Sequence, residues 1–188
     1  MKLTPASLQS LLLPAHPLLP EDLHMQAAVL LLVCAKPEPF TILTLRSDSL
    51  PYHAGQISLP GGRIEAADAT FEHAALREAQ EETALDPASV TLLGRLPKVK
   101  VTSGFEITPV VGWIETLPQL LADPREVAQI ITCPLHWLLQ KQRYTRESLL
   151  RDGQTREFWV LQLEQHRVWG ATASILYSLA SLGELELN

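Results

Sequence analysis

Runs of apolar residues alternate along the chain with polar segments that are rich in turn-forming residues. Residues 26–35 form a continuous apolar stretch. Its length and valines favour a strand that is buried on both faces, although periodicity alone leaves a helix open. After the prolines at 37 and 39, residues 40–45 predict the returning strand of a hairpin. Further strands are predicted at residues 90–96, 107–114 and 156–163.

Helical periodicity marks other parts of the chain. Residues 69–83 predict a helix that ends before Asp86-Pro87. Residues 169–182 predict a closing helix, because Ile175, Leu179 and Leu182 fall on one stripe. Three segments are predicted in less detail: a short helix near residues 8–13 with a proline-rich connector up to 24, a helical stretch or turn at 123–126, and a crossing segment at 130–137.

The interleaving of strands and helices predicts one α/β domain with a mixed sheet. We expect this domain to span residues 1–188, with about 1–24 as an N-terminal extension. A loop rich in turn formers, residues 47–62, connects the hairpin to the long helix. The apolar run Leu11-Leu12-Leu13 is too short and too interrupted by proline to be a signal segment or a membrane span.

Composition narrows the class of protein. With 46% hydrophobic and 19% charged residues the chain is an ordinary globular protein. Its net charge of -6 argues against a nucleic acid as the main partner, but it allows a phosphorylated substrate that is bound through metal ions. The two cysteines, Cys34 and Cys133, lack metal-site spacing, and we therefore expect free thiols and a soluble protein of the cytoplasm.

Candidate chemistry is concentrated in residues 61–82. On a helix, Glu78, Glu81 and Glu82 lie three and four positions apart and project to one side, where their charges repel. A hard divalent cation such as Mg²⁺ relieves that repulsion, since it prefers carboxylate and phosphate oxygens. Arg77 lies four residues before Glu81 and is placed to pair with it.

An acidic helix face can also be no more than a solvated surface. Two observations favour a ligand site. Gly61 and Gly62 precede the helix and let the backbone approach a ligand closely. Moreover, six residues (Gly, Gly, Arg, Glu, Glu, Glu) at this spacing arise by chance at roughly one in ten million per start position.

This segment resembles the Nudix box, the strand-loop-helix-loop signature of enzymes that hydrolyse a nucleoside diphosphate linked to another group. The resemblance runs from Gly62 through 77–82 to Leu85. The interval from Gly62 to Arg77 is one residue longer than the general pattern, and Asp68 approximates the acidic position of the loop. Ala84 replaces a glycine and should cost about 1 kcal/mol or shift the helix end. The resemblance implies a Nudix-type α/β/α sandwich.

A second resemblance, to the coenzyme A pyrophosphatase branch of this family, covers the segment before the box. It rests on residues 43–47 (Leu-Thr-Leu-Arg-Ser), Gly55 and residues 59–62 (Leu-Pro-Gly-Gly). The branch shares the longer loop, and the segments 108–112, 126–128 and 169–173 also look like it. Pro51 stands where the branch motif has a second arginine, and Leu59 where it has phenylalanine.

The resemblance implies a metal-dependent pyrophosphohydrolase that cleaves coenzyme A, or a derivative, to adenosine 3′,5′-bisphosphate and 4′-phosphopantetheine. Glu78, Glu81 and Glu82 would bind Mg²⁺ or Mn²⁺, with Arg77 holding their geometry. Glu126 is a candidate base or further ligand, and the alternative is an acid at a helix start. The branch resemblance does not decide between a monomer and a homodimer.

Substrate contacts are predicted at a few residues. Gly61 and Gly62 would bring the backbone to the substrate. Arg46 would contact phosphate oxygens, or form a structural ion pair with a box glutamate. Arg63, with Lys98 and Lys100, could meet the 3′-phosphate, and the alternative for each is an exposed, solvated charge. Three other functions stay open: hydrolysis of ADP-ribose, NADH or nucleoside triphosphates, an inactive Nudix-fold binding module, and a purely structural acidic helix.

Overall fold

The computed structural model describes residues 2–15, 19–20, 22–151, 153–163 and 165–183. They form helices and strands in the following order: α1 (Pro5–Gln9), β1 (Gln26–Lys36), β2 (Phe40–Arg46), β3 (Ile57–Ser58), β4 (Gly61–Arg63), α2 (Phe71–Thr83), β5 (Thr91–Arg95), β6 (Val99–Lys100), β7 (Glu106–Thr116), β8 (Val127–Pro134), α3 (Leu135–Leu138), β9 (Tyr144–Arg151), β10 (Gln154–Leu163), β11 (His166–Trp169) and α4 (Gly170–Ala180). Single 3-10 turns occupy Pro87–Ser89 and Lys141–Arg143.

A mixed sheet of eight strands forms the centre of the fold. β1 and β7 run parallel along their whole length, from Gln26↔Glu106 to Lys36↔Thr116. On its other side β1 pairs with β2 only near the hairpin, where Val33 lies opposite Thr41. β2 then diverges from β1, and β4 pairs with the first part of β1 in its place. The divergence opens a wedge between β2 and β4, and the candidate site lies there.

Apolar side chains on both faces explain why β1 is one unbroken hydrophobic run. Alternate residues point to opposite faces, and each face is covered by other elements. The face of Ala28, Leu30 and Leu32 packs against α2. The face of Leu31 and Val33 belongs to a larger cluster that includes residues of α4 and β10. The mixed sheet therefore lies between layers of helix, which confirms the predicted α/β sandwich.

A second, antiparallel sheet of three strands, in the order β11-β10-β9, precedes α4. Its inner face joins the core through Leu161 and Val168, which are fully buried. Trp159 stacks on Tyr177 of α4 at a ring-centroid distance of 3.9 Å. Within the described residues, no helix has the length and apolar composition that crossing a bilayer requires.

Most predicted elements are present, with corrected boundaries. The N-terminal helix begins at Pro5, earlier than the predicted 8–13, because Thr4 forms a capping box with Ser7. Part of the predicted connector, residues 16–18 and 21, lies outside the described residues. Residues 123–126 end in a turn, and the predicted crossing segment 130–137 is the end of strand β8 followed by α3. The sequence interpretation missed β9 and β11.

Candidate active site

The paired glycines belong to β4, at the edge of the wedge. The Leu30 amide donates to the Pro60 carbonyl at 2.8 Å, and Gly61 and Gly62 lie opposite Val29 and Ala28. A Cβ on Gly61, which has φ +149°, would lie 2.4 Å from the Ala28 carbonyl oxygen. Only glycine fits there.

Gly62 fulfils a different requirement. A Cβ at this position would lie 2.4 Å from Oε2 of Glu78, the end of a flexible side chain. The Glu78 carboxylate therefore rests against the bare backbone of β4, close to the wedge. Burial raises the pKa of Glu78, against the hydrogen bond and charge of Arg77, while the charges of Glu81 and Glu126 raise it further.

Helix α2 begins and ends with local backbone features that fix the position of its carboxylates. Thr70 caps the first turn by accepting a hydrogen bond from the His73 amide at 3.1 Å. The helix ends at Ala84, which has φ 56° and ψ 24°, the left-handed conformation that glycine adopts most easily. The alanine therefore occupies the conformation for which the family pattern has glycine.

Arg77 ties the loop, the strand and the helix together. Its Nε and Nη2 donate to the two carboxylate oxygens of Asp68, at 3.1 and 3.0 Å. Its Nη1 donates to Glu78 at 3.0 Å and, as predicted, to Glu81 at 3.1 Å, and Nη2 also reaches the Arg63 carbonyl at 3.1 Å. These five bonds match the five N–H donors of a guanidinium.

Asp68 is buried and is also bound by a histidine and by a backbone amide. His73 Nδ1 lies 2.9 Å from Asp68 Oδ1, and the Glu65 amide donates to Oδ2 at 2.8 Å. Burial alone would raise the pKa of Asp68, but these hydrogen bonds and the charge of Arg77 lower it below its usual value. The carboxylate is therefore fixed as an anion that orients Arg77.

The three glutamates of α2 lie in different surroundings. The side chain of Glu81 is 57% exposed and that of Glu78 15%, whereas Glu82 as a residue is only 2% exposed. The three glutamates therefore differ in burial. Arg77 Nη1 bridges Glu78 and Glu81, while Glu78 and Glu82 both contact the glycines of β4.

Glu82 is the unusual member of the group. Its Oε2 is buried and has no hydrogen-bond partner among the described residues. Burial, together with the charges of Glu78 and Glu126, raises the pKa of Glu82 to about 8, although the Arg46 charge and a hydrogen bond from the Gly61 backbone favour the anion. A buried carboxylate with a bare oxygen is expensive unless a ligand meets it.

Strand register brings two distant residues to Glu82. In the β2–β8 pair Arg46 lies opposite Val127, and the Ser47 amide donates to the Glu126 carbonyl at 2.8 Å. Glu126 thus lies in the turn just before β8, not at a helix start. Arg46 has a buried Nε without a partner among the described residues, and its charge acts on Glu82.

The chemistry of this donor set fits a hard divalent cation. Glu78, Glu82 and Glu126 supply carboxylate oxygens whose charges repel one another, and one of these oxygens is buried and bare. As the side chains stand in the described part of the chain, no three His, Cys, Asp or Glu residues are gathered closely enough to hold an ion. Arg77 accounts for part of this spread, because it hydrogen-bonds Glu78 and Glu81.

The other predicted contacts divide into two groups. Arg63 ends β4 directly after Gly62 and lies over the ring of Phe105, a residue that the sequence interpretation did not single out. Lys98 and Lys100 instead form ion pairs with Glu106, at 3.7 and 3.1 Å. A loop aromatic such as Phe105 carries no sequence signal of its own, because its partner is set by sheet register.

Comparison with known proteins identifies the family. Residues 24–153 match the NUDIX domain family. Proteins named "Uncharacterized Nudix hydrolase NudL" are similar over most of the chain. The one from Escherichia coli O1:K1 / APEC is 41% identical over 157 residues, 84% of this chain and 82% of that protein. The one from Salmonella paratyphi B is 43% identical over 155 residues, 82% of this chain and 81% of that protein.

The chain therefore belongs to the NUDIX domain family, whose hydrolases act on phosphoanhydride bonds. Solved structures agree on the fold. A Nudix hydrolase from M. smegmatis, RenU, has a TM-score of 0.52 at 22% identity and covers 66% of this chain and 79% of its own. A C. elegans Ap4A hydrolase binary complex has a TM-score of 0.50 at 17% identity and covers 58% and 80%.

Proposed function

We propose that this protein is a divalent-metal-dependent hydrolase that cleaves the diphosphate of coenzyme A or one of its derivatives. The observation that supports it most is the buried, unpartnered oxygen of Glu82, which lies beside Arg46 and near Glu78 and Glu126. An unpartnered carboxylate would repel a free diphosphate anion. In a metal-bound diphosphate, the metal binds the carboxylates and the phosphate oxygens accept hydrogen bonds from the guanidinium.

The choice of coenzyme A rests on the segment before the box. Arg46 belongs to the Leu-Thr-Leu-Arg-Ser stretch that resembles the coenzyme A branch, and its buried Nε faces the same cluster as Glu82. Gly61 and Gly62, at the end of that segment, bring bare backbone to Glu78 and Glu82. The position of Arg46, Gly61 and Gly62 beside the box glutamates supports this choice.

Glu78 and Glu82, with Glu81 or Glu126 as further ligands, would hold Mg²⁺ or Mn²⁺. The ions neutralise phosphate charge and lower the pKa of a bound water. Arg46 would bind a non-bridging phosphate oxygen and orient the diphosphate. The Glu126 carboxylate would accept a proton from the attacking water. The water oxygen then bonds to one phosphorus, and the bridging oxygen leaves with the other phosphate.

Product analysis tests this proposal. The protein is incubated with coenzyme A and Mg²⁺ or Mn²⁺, and the products are separated by chromatography. We expect adenosine 3′,5′-bisphosphate and 4′-phosphopantetheine, with no turnover when EDTA is present. Preferential hydrolysis of ADP-ribose, NADH or a nucleoside triphosphate would contradict the choice of substrate.

A binding module without activity is the alternative from another class of protein. Loss of carboxylates would cost such a module nothing, yet Glu78, Glu81 and Glu82 are all present, and Arg77 uses five hydrogen bonds to organise them with the loop. Absence of metal-dependent hydrolysis over the whole substrate panel would support the module instead.

A further inference from the structure

Arg63 and Phe105 form a pair on the face of the sheet opposite to α2. The guanidinium carbon of Arg63 lies 4.8 Å from the centroid of the Phe105 ring. In the sheet, Arg63 lies opposite Ala27 of β1, which in turn lies beside Ile107 of β7. Because residues in register share a face, Arg63 and Ile107 point the same way, and so does Phe105, two positions before Ile107. The small Ala27 side chain between them leaves room for the arginine to cross.

The same register separates Arg63 from the neighbouring lysines. Val99 lies opposite Ile107, so that Lys98 and Lys100 point to the other face, where both pair with Glu106. No carboxylate in the described part of the chain pairs with the side chain of Arg63, which is exposed. Of the three basic residues near β4 and β6, Arg63 is the one that forms no ion pair in the described part of the chain.

Stacking holds the guanidinium without consuming its donors. A cation over an aromatic ring is attracted by the ring face, and all five N–H groups stay available for a bidentate contact. The backbone is fixed as well, since Arg77 Nη2 donates to the Arg63 carbonyl at 3.1 Å. Arg63 also directly follows Gly62, whose Cα lies against Glu78. The pair is therefore a preorganised anion contact directly after the glycine against which Glu78 rests.

We infer that Arg63, supported by Phe105, binds a phosphate monoester of the substrate that lies outside the diphosphate being cleaved. This inference rests on the proposed function, and in coenzyme A the group is the 3′-phosphate of the adenosine. Arg63 is then a residue that determines specificity and makes no contact with the reacting atoms. Phe105 is a positioning residue that acts through Arg63.

The test compares coenzyme A with dephospho-coenzyme A, which lacks only the 3′-phosphate. We expect Arg63→Gln to lower kcat/KM for coenzyme A by about 10- to 100-fold, mostly through KM, and to leave kcat/KM for dephospho-coenzyme A within about twofold. Arg63→Lys keeps the charge but loses the planar fork, so its kcat/KM for coenzyme A should lie between the values of the wild type and of Arg63→Gln. Phe105→Leu should lower kcat/KM about threefold for coenzyme A and leave it unchanged for dephospho-coenzyme A. Arg143→Gln, which removes an exposed arginine that lies over the Trp137 ring, is the matched control and should change kcat/KM for neither substrate.

A loss shared equally by both substrates, or no loss, in Arg63→Gln would overturn the inference. Calorimetric binding of adenosine 3′,5′-bisphosphate and of adenosine 5′-phosphate separates this failure from that of the proposed function. If the wild type hydrolyses neither coenzyme A nor its dephospho form, the proposed function has failed. The subsite is then judged by whether the wild type binds the bisphosphate more tightly than the monophosphate and whether Arg63→Gln removes that difference.

Discussion

Two buried glutamates on α2, ten positions apart, each have an arginine nearby and yet differ in almost every other respect. Glu72, in the first turn, accepts two hydrogen bonds of 2.7 Å from Arg95, one on each carboxylate oxygen. Glu82, in the last turn, has Arg46 close enough to act through charge but keeps one oxygen bare. Burial alone would raise both pKa values, but Arg95 lowers that of Glu72, whereas that of Glu82 rises to about 8.

The contrast distinguishes a structural acid from one that is available to a ligand. Both carboxylate oxygens of Glu72 accept a hydrogen bond from Arg95, which also lies over the ring of Phe71 at 4.8 Å. The start of the helix also favours an anion. Arg46 and the Gly61 backbone stabilise the anion of Glu82 only in part, and the end of the helix disfavours an anion. Proteins keep so costly a group where function requires it, and a metal ion is what would complete it.

The largest expected effect is on activity. Glu82→Gln should lower kcat/KM at saturating Mn²⁺ by about 10³-fold, since losing a metal ligand forfeits several kcal/mol of charge stabilisation. The matched control is Glu72→Gln, which is equally buried on the same helix and should stay within about threefold of the wild type when assayed well below its melting temperature. Near-normal turnover of Glu82→Gln at saturating metal would show that the ligand assignment is wrong.

The free energy of unfolding should show the opposite order, with the larger loss in Glu72→Gln. Glu72→Gln should reduce the free energy of unfolding by about 3 kcal/mol, because it removes the buried negative charge that accepts two short hydrogen bonds from Arg95. Urea unfolding monitored by tryptophan fluorescence measures this change. In EDTA, Glu82→Gln should be neutral below about pH 5 and increasingly stabilising from there to about pH 8, because the buried Glu82 carboxyl must keep a proton that the unfolded state has lost, whereas glutamine has none to keep. A larger loss of stability in Glu82→Gln than in Glu72→Gln would invert the comparison.

The pH dependence of stability should separate the two acids. The pKa of Glu82 is about 8 in the folded protein against 4.5 for an ordinary glutamate. Between these values the folded state keeps a proton that the unfolded state has lost, so stability falls as pH rises, by at most about 1.4 kcal/mol per pH unit. Glu72, with a lowered pKa, contributes stability above its unfolded pKa and loses it as the pH falls.

Urea unfolding in EDTA at several pH values checks this difference. The wild type should lose stability from about pH 5 to about pH 8 relative to Glu82→Gln, whose curve lacks this slope. Excess Mg²⁺ should reduce the slope, because an ion that binds the folded state favours the carboxylate anion. Parallel curves for the two proteins would mean that Glu82 ionises normally.

The smallest effect concerns the helix end next to Glu82. Ala84→Gly should stabilise the protein by about 1 kcal/mol, because glycine adopts the left-handed conformation without a Cβ clash. For a chain of this size that corresponds to a melting temperature higher by about 2–4 °C. Activity should be unchanged. A lower melting temperature would show that the Ala84 methyl group contributes packing that outweighs the backbone strain.

Sequence reasoning succeeded where one segment carries its own signal. The apolar run of β1 and the periodicity of α2 predicted both elements, and the spacing of Arg77 and Glu81 predicted their ion pair. It failed on β9, because Tyr144–Arg151 has no apolar face: the strand lies at a sheet edge and is mostly exposed. The four residues of β11 are too few to show a period.

Contacts between distant segments also could not be predicted from the sequence. Glu126 lies beside the end of β2, where the Ser47 amide donates to its carbonyl, only because β8 pairs with β2 in one register, with an irregularity between Leu45 and Arg46. The pairing of Glu72 with Arg95, 23 residues later, depends in the same way on how α2 lies over β5. A residue's charge and spacing can suggest a ligand, but only the fold decides whether that charge is already satisfied.

The hydrogen bonding of Arg77 has a consequence for transplanting this helix into another scaffold. Three of its five bonds end on acceptors outside α2, two on Asp68 and one on the Arg63 carbonyl. A grafted copy of residues 71–83 alone would carry the carboxylates without the anchor that orients their guanidinium partner. The smallest portable unit is therefore the contiguous piece from Gly61 to Ala84, together with a host strand that can receive β4.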